Sequence, residues 1–116
     1  MTVQKNRIVG LVEDSVEITD LGATCQVVFQ PNEPVFAGHF PGNPIVPGVL
    51  MLEGLVALNA RLGATLIGIK EAKFRAIARP SQTLRYSLTR EGLGAVTHVD
   101  GEVVLSCKLT LGIEPA

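Results

Sequence analysis

The stretch GHFPGNPIVPGVLMLEGLVAL, Gly38 to Leu58, decides how this chain folds. Prolines at 41, 44 and 47 restrict a loop that carries His39, and the apolar run that follows is interrupted by one carboxylate, Glu53. Pro47 suits the first position of a helix, the next turns are rich in good helix formers, and Gly63 suits its termination. The sequence therefore predicts a helix of about sixteen residues, roughly 24 Å long.

The remainder of the chain has the pattern of strands. The predicted helix is apolar on almost every side, which favours burial over an amphipathic position at the surface. Elsewhere apolar residues alternate with polar ones, as in antiparallel strands with one buried face. The clearest runs are Cys25, Val27 and Phe29; Leu84, Tyr86 and Leu88; and Val103, Leu105, Cys107, Leu109 and Leu111. Asp100-Gly101 predicts a two-residue hairpin, and Gly92 and Gly94 mark another turn. We expect an α+β fold, with a sheet wrapped around one central helix.

Size and composition narrow the class of protein. A chain of 116 residues is long enough for one core, which predicts a single domain over residues 1–116. It has no apolar run of the ~18 residues that a membrane helix needs, and its start lacks a secretory signal. We therefore expect a cytoplasmic protein without membrane insertion. Cys25 and Cys107 form no metal-binding pattern, so we expect two reduced thiols and no metal.

Basic residues are concentrated in one segment. Residues 61–90 contain seven Lys or Arg against the single acid Glu71, whereas the whole chain has a net charge of −1. Each of these side chains, taken alone, is best interpreted as part of a solvated strand face. Together they predict a basic patch that attracts an acidic partner. Nucleic acid is a weaker candidate, because only Phe74 and Tyr86 lie among the charges.

Glu53 is the first candidate catalytic residue. On a helix, all its neighbours three and four positions away are apolar, so no cation or amide lies beside it on its own element. A carboxyl group in such surroundings is usually held protonated or receives a partner from another element, and a protonated one can act as a general acid. The alternative, a helix rim from which Glu53 reaches water, fits a run that is hydrophobic on every side less well.

His39 is the second candidate. A lone histidine is more often structural than catalytic, but prolines and the flanking Gly38 and Gly42 hold this one in a stiff loop. Nearby phenylalanines could exclude water, and a neutral imidazole in a dry cleft is a competent general base. The phenylalanines are Phe29, Phe36 and Phe40. His98 lies in a predicted strand and is interpreted as structural.

The start of the helix lies between these two candidates. The backbone N–H groups of Gly48 and Val49 have no helical partners, and the helix dipole there favours negative charge. A base, an acid and a donor for a developing oxyanion suit proton removal next to a carbonyl and expulsion of a β-hydroxyl as water. The motif therefore predicts a dehydration site.

The stretch GHFPGNPIVPGVLMLE closely resembles the signature of the 3-hydroxyacyl-[acyl-carrier-protein] dehydratases. The resemblance rests on His-Phe-Pro-Gly, then Pro-Gly-Val-Leu, then an acid fourteen residues after the histidine. It extends more weakly to EPVFAGHF before the motif and AKFRAIARPSQTL after it. It implies a hot-dog fold. It also implies a lyase activity that converts a 3-hydroxyacyl thioester into the trans-2-enoyl thioester. Glu53, where relatives also use Asp, resembles the branch that dehydrates without isomerising.

The resemblance also implies roles for particular residues. His39 of one subunit and Glu53 of the other would form each active site of a homodimer, and further assembly into a trimer of dimers is left open. The Gly48 N–H would hold the thioester carbonyl, the Ile45 carbonyl would orient His39, and Phe40 would line the tunnel. Acyl carrier protein would dock on basic residues, of which the candidates are Lys73, Arg75 and Arg79. Its phosphopantetheine arm would carry the substrate, so the resemblance implies no metal or soluble redox cofactor.

Several positions depart from the family pattern. Relatives usually start with an additional helix, whereas this chain is expected to begin almost at its first strand. A Gln common four residues after the acid is Ala57 here, and the later Arg-Pro and Gly-Asp pairs are replaced by Ala76-Ile77 and, after Pro80, by Ser81-Gln82. These changes leave the acid–base pair intact but affect the predicted tunnel mouth and docking surface, which suggests a specialised acyl pathway such as polyketide or polyene synthesis.

Two other functions remain open at the level of sequence. Hot-dog domains also host thioesterases, and Glu53 could activate water at a thioester carbonyl, although that chemistry does not need His39 in so stiff a loop. A non-catalytic subunit that binds acyl chains or completes another subunit's site is the second alternative.

Overall fold

Six antiparallel strands form one sheet against which a helix packs. The computed structural model describes residues 11, 12, 14–33, 36, 42, 44–98 and 100–112. The strands lie in the order β1-β2-β4-β5-β6-β3, which confirms the predicted α+β class. The elements are β1 Glu17–Ile18, β2 Gly22–Val28, α1 Gly48–Arg61, β3 Thr65–Phe74, β4 Thr83–Thr89, β5 Leu93–His98 and β6 Val103–Gly112.

The helix begins and ends close to the predicted positions. Pro47 is the N-cap, with an extended backbone at φ −61° and ψ 139°, so it precedes the first helical residue rather than occupying it. Gly63 follows the C-cap with φ 76°, a conformation that costs glycine little and ends the helix. Asn59 donates from Nδ2 to the Ala64 carbonyl at 3.1 Å and fixes the chain that leaves α1. No helix in the described ranges is long and apolar enough to cross a bilayer.

The core lies between the helix and the sheet. The predicted alternation is confirmed in β2, β4 and most of β6, whose inward side chains are buried against one face of the helix. These are Cys25, Val27, Leu84, Tyr86, Leu88, Leu105, Cys107 and Leu109 from the strands and Leu50, Met51, Leu55 and Leu58 from the helix. Gly54 lets the ring of Tyr86 approach the helix, because a Cβ there would overlap ring atoms Cε2 and Cδ2. Close packing at this point therefore depends on glycine.

The prediction of a helix buried on every side is wrong for the single chain. Val49 is 59% exposed, Ala60 is also exposed, and Leu52, Glu53 and Val56 are half-buried. These positions share one face of α1, and the sheet of the same chain covers only the opposite face. An apolar helix face is therefore left uncovered by the described residues.

Bulges explain where the strand predictions fail. Val103 was expected to point inward but is exposed, whereas Val104 is completely buried. The pairing of β5 with β6 shifts between Val96 and Thr97, which are opposite Leu105 and Val103. One extra residue on β6 thus reverses the alternation. The side chain of Leu111 lies outside the described residues.

Two turn predictions need correction. The His98 N–H donates to the Glu102 carbonyl, and Gly101, at φ 99°, donates to the His98 carbonyl. The loop therefore has three residues with glycine in the left-handed position, rather than two. Gly92 forms the other turn as expected, but Gly94 lies within β5, where its missing side chain makes room for Leu55 and Cys107.

The expectation that the chain begins almost at its first strand is also wrong. Residues 11, 12, 14 and 15 are helical, so a helical segment precedes β1. Val12 is completely buried and Leu11 packs against the core. Ser15 donates to the Gln26 carbonyl and accepts from its N–H, both at 2.9 Å. The segment is therefore anchored on β2.

Strand β3 forms one edge of the sheet and is irregular. Its pairing with β6 shifts twice, between Leu66 and Gly68 and between Lys70 and Lys73, and Glu71 has φ 53°. Each shift places one extra residue on β3, which bends the strand. Large apolar side chains remain exposed along this edge, namely Ile67, Ile69 and Phe74.

Candidate active site

The N-terminus of α1 presents backbone donors that have no acceptor among the residues that the structure describes. Pro47 has no side chain able to cap the helix, and the first turn contains no acidic residue. Leu50 N–H donates to the Pro47 carbonyl at 3.1 Å, but Gly48 and Val49 have no acceptor among the described residues. Two free N–H groups at the positive end of a helix suit an oxygen atom that carries negative charge.

Glu53 lies on the same helix, on the face that the sheet leaves uncovered. The residue is half-buried, and its Oε2 is buried without a hydrogen-bond partner in the described part of the chain. A buried carboxyl oxygen normally has a partner. The arrangement is therefore incomplete without a group from a ligand, a second chain or the undescribed residues.

The segment before the helix is fixed by a loop from the other half of the chain. Val46 N–H donates to the Ala78 carbonyl at 2.7 Å, and Ser81 N–H donates to the Phe29 carbonyl at 2.8 Å. The Arg75 N–H donates to the Val104 carbonyl at 2.7 Å, and Val104 lies at the bulge in β6. Loop 75–82 therefore connects the helix start to β2 and β6.

His98, at the end of β5, has the structural role expected of it, because its side chain binds loop 75–82. Its Nε2 lies 3.2 Å from the Ile77 carbonyl, which identifies that nitrogen as the donor, since a carbonyl can only accept. The Glu102 Oε1 lies 3.7 Å from the same nitrogen. The alternation around His98 predicted a strand but gave no sign of its partner, which lies 21 residues away.

Phe74 is a site residue that sequence reasoning missed. Its ring atoms Cε1 and Cζ lie 2.6 and 2.8 Å from the point that a Cβ on Gly48 would occupy. The space that the missing side chain of Gly48 leaves beside the helix start is therefore filled by the phenyl ring. Phe74 is nevertheless 52% exposed, so it contacts the helix start with one side and faces open space with the other.

The remaining predicted residues are only partly placed. His39 and Phe40 lie outside the described residues, so their roles stay predictions. Ile45 is half-buried, directly before Val46, and the role of its carbonyl in orienting His39 is untested. Phe29 and Phe36 are buried in the core, and their role in shielding the histidine stays a prediction.

The basic segment does not form one patch. Lys73, Arg75 and Arg79 are exposed and belong to the end of β3 and the following loop, at the same end of the sheet as Gly48. Arg90 lies at the opposite end of β4 and donates to the carbonyls of Thr19 and Asp20. Of these four residues, the first three lie at the end of the sheet that carries the helix start, and Arg90 does not.

The cysteines are buried and reduced, as expected. Burial raises the pKa of the Cys25 thiol to about 12 and also raises the pKa of Cys107. Burial, and then the neighbouring Cys25, raises the pKa of the Tyr86 phenol. Within the described ranges no three acidic, His or Cys side chains are grouped as metal ligands, and the absence of a metal stays a prediction.

Comparison with known proteins identifies the family. Residues 15–103 match the model of the ApeI-like family, described as ApeI dehydratase. The chain belongs to this dehydratase family. Its curated relatives include the 3-hydroxyacyl-[acyl-carrier-protein] dehydratase FabZ of Latilactobacillus sakei, 43% identical over 72% of this chain and 71% of the relative. The enzyme of the same name from Ligilactobacillus salivarius is 42% identical over 71% of each chain.

Solved structures support the fold. The dehydratase heterocomplex ApeI:P from Xenorhabdus doucetiae aligns with a TM-score of 0.68 and 24% identity, covering 82% of this chain and 90% of that one. A protein of the thioesterase superfamily aligns with a TM-score of 0.52 at 15% identity, covering 97% and 99%. The predicted hot-dog fold is thereby confirmed, and the curated relatives confirm the assignment as a 3-hydroxyacyl-[acyl-carrier-protein] dehydratase, a lyase.

Proposed function

We propose that this ApeI-like dehydratase converts a 3-hydroxyacyl thioester on acyl carrier protein into the trans-2-enoyl thioester, with His39 as general base and Glu53 as general acid. His39 removes a proton from C2, and the electron pair moves toward the thioester carbonyl, whose oxygen the Gly48 N–H holds. The C2–C3 double bond then forms as the C3–O bond breaks. Glu53 gives its proton to the departing hydroxyl, which leaves as water.

This proposal rests on the buried Oε2 of Glu53, which has no hydrogen-bond partner in the described part of the chain. It lies on the helix whose first N–H groups are also without acceptors among the described residues, so one element offers both a proton donor and an oxyanion donor. A thioester bound with its carbonyl at Gly48 and its hydroxyl at Glu53 supplies the two missing partners. Hydrolysis of the thioester would need only the carbonyl end of this arrangement.

A homodimer with shared sites belongs to the same proposal. The uncovered face of α1 carries Val49 and Glu53, and the edge of β3 carries Ile67 and Ile69 in exposed positions. Association of two copies would cover these apolar groups and bring Glu53 of one copy toward His39 of the other. Further assembly into a trimer of dimers is neither supported nor opposed by these surfaces.

The proposed substrate arrives on a carrier. Lys73, Arg75 and Arg79 lie beside the helix start, where they would meet an acidic acyl carrier protein. Its phosphopantetheine arm would deliver the thioester, and the chemistry above needs no resident metal or redox cofactor. We place the enzyme in the cytoplasm, where such carriers operate, and we retain a specialised polyketide or polyene pathway as the hypothesis for its substrate.

Substitution of the two proton-transfer residues tests the function. His39→Ala and Glu53→Gln should each lower the rate of enoyl-thioester formation by roughly 10²–10⁴-fold without loss of folding, and Glu91→Gln in an exposed turn is the matched control. Near-normal turnover in either variant would refute that residue's role. Release of free acid and thiol by the wild type would indicate a thioesterase, and no turnover would favour a non-catalytic subunit.

Mixing the two inactive variants tests the shared site. In a heterodimer of His39→Ala with Glu53→Gln, one site carries both lesions and the other carries neither. An equal mixture after subunit exchange should recover about a quarter of wild-type activity. No recovery, with exchange demonstrated by mass-labelled chains, would contradict a site formed from two subunits.

A further inference from the structure

We infer that Phe74 selects substrates by what C2 of the acyl chain carries, admitting unbranched 3-hydroxyacyl thioesters and excluding those with a 2-methyl group. The inference rests on the proposed function, in which the Gly48 N–H holds the thioester carbonyl. It concerns the carbonyl end of the substrate and makes no claim about chain length.

The position of the ring carries the first step. Ring atoms Cε1, Cζ and Cδ1 of Phe74 lie 2.6, 2.8 and 3.4 Å from the place of a Gly48 Cβ, so the ring fills the space beside the proposed oxyanion donor. A carbonyl oxygen bound by that N–H puts the carbonyl carbon, and C2 next to it, within a few ångströms of the helix start. Phe74 is therefore a neighbour of C2 rather than of the distant end of the chain.

The rigidity of the ring's backbone is the second step. Phe74 ends β3 opposite Leu105, and the next residue, Arg75, is held by the Val104 carbonyl at 2.7 Å. The Ala76 N–H donates to the same carbonyl at 3.4 Å. An aromatic side chain on so fixed a backbone forms a wall that cannot yield to an added methyl group without losing contacts.

The stereochemistry of the reaction is the third step. C2 carries two hydrogens, and the one that leaves must face the imidazole of His39. The other points away from the imidazole, and we infer that it faces the ring of Phe74, which lies beside Gly48 and is 52% exposed. A methyl group in that position would strike the ring, whereas a hydrogen would not. Steric discrimination of one methyl group is commonly worth about 10- to 200-fold in kcat/KM.

The experiment compares two substrates on the same carrier, 3-hydroxyhexanoyl and 2-methyl-3-hydroxyhexanoyl thioesters, with each diastereomer of the latter measured separately. The wild type should prefer the unbranched substrate in kcat/KM by about tenfold or more. Phe74→Ala should reduce that preference by about tenfold, with Phe74→Leu intermediate. Leu93→Ala is the matched control, since Leu93 is a similarly exposed apolar residue, at 57%, at the opposite end of the sheet.

Each outcome has a distinct meaning. Two results would overturn the inference and leave the proposed function standing. The first is a Phe74→Ala variant that is fully active on the unbranched substrate and keeps the wild-type preference for it over the 2-methyl substrate. The second is a wild type that dehydrates both substrates equally well. Loss of dimerisation or of unbranched turnover in Phe74→Ala and Phe74→Leu, with the preference unchanged, would make the ring an interface residue and also overturn it. A wild type that dehydrates neither substrate would overturn the proposed function itself.

Discussion

The helix glycine that faces Tyr86 provides a sharp test of how the core is packed. Replacing Gly54 by Ala would put a methyl group against ring atoms Cε2 and Cδ2, the second of which lies 2.6 Å from the ideal Cβ position. Tyr86 is 0% exposed, and its strand is paired with β2 on one side and β5 on the other. The ring therefore has no space into which it can move, and we expect Gly54→Ala to destabilise the fold.

Two opposing contributions set the size of the effect. Ala is preferred to Gly inside a helix by up to ~1 kcal/mol, whereas an extra methyl group in a close-packed core costs about 1–3 kcal/mol. The overlap with the ring places this case near the upper end of that range. We expect a net loss of about 2 kcal/mol in the free energy of unfolding, which lowers Tm by roughly 8 °C in a domain of this size.

Urea and thermal unfolding at matched protein concentration measure this loss, since association of copies makes Tm depend on concentration. Ala60→Gly, at an exposed position of the same helix, gives the propensity difference directly. Tyr86→Phe keeps the ring carbons and removes only a hydroxyl that has no partner among the described residues, so Gly54→Ala should remain costly in that background. In Tyr86→Leu, which opens the space, the same substitution should become neutral or stabilising.

The double-mutant cycle with Tyr86→Leu gives the decisive result. A coupling free energy of about 2–3 kcal/mol is expected from the opposing contributions. If Gly54→Ala instead raised stability by as much as Ala60→Gly lowers it, or if the coupling were close to zero, the contact between helix and ring would be wrong.

Two further predictions concern the thiols and the edge strand. Because burial raises the pKa of Cys25 from 9.0 to about 12, iodoacetamide should label it slowly at pH 8 until urea unfolds the protein, and rapid labelling of the native state would contradict its burial. The same shift gives a stabilisation that is complete below about pH 9 and lost between pH 9 and 12, measurable as alkaline unfolding. Ile67→Glu places a charge on the exposed edge of β3 and should raise the Kd of the proposed homodimer by about tenfold or more, as measured by sedimentation. An unchanged Kd, equal to that of the remote control Leu93→Glu, would exclude this edge from the interface.

The helix and most of the sheet could be predicted because their signals are local. Pro47 and Gly63 delimit α1 through backbone preferences that hold in any context, and alternation identifies the buried faces of β2 and β4. Glu53 was recognisable as a candidate because a carboxylate in an apolar run is costly wherever the helix lies. These features depend on neighbours in sequence.

The features that escaped prediction depend on contacts between distant residues. Nothing near Val104 indicates that its carbonyl receives two N–H groups from the loop after β3, which is what fixes the bulge and turns Val103 outward. The position of Phe74 against Gly48 likewise follows from two shifts of register along β3. The uncovered face of α1 could not be foreseen, because apolar composition does not tell whether a helix is covered by its own chain or by another.

The hydrogen bonds of loop 75–82 also affect how the protein is made. The helix start is synthesised before the residues that hold it, because Val46 is bound to Ala78 and loop 75–82 is bound in turn to Val104. A nascent chain whose β6 is still inside the ribosome therefore contains the residues of α1 but lacks the Val104 carbonyl that holds loop 75–82. The helix start therefore acquires its full set of anchors only when β6 joins the sheet.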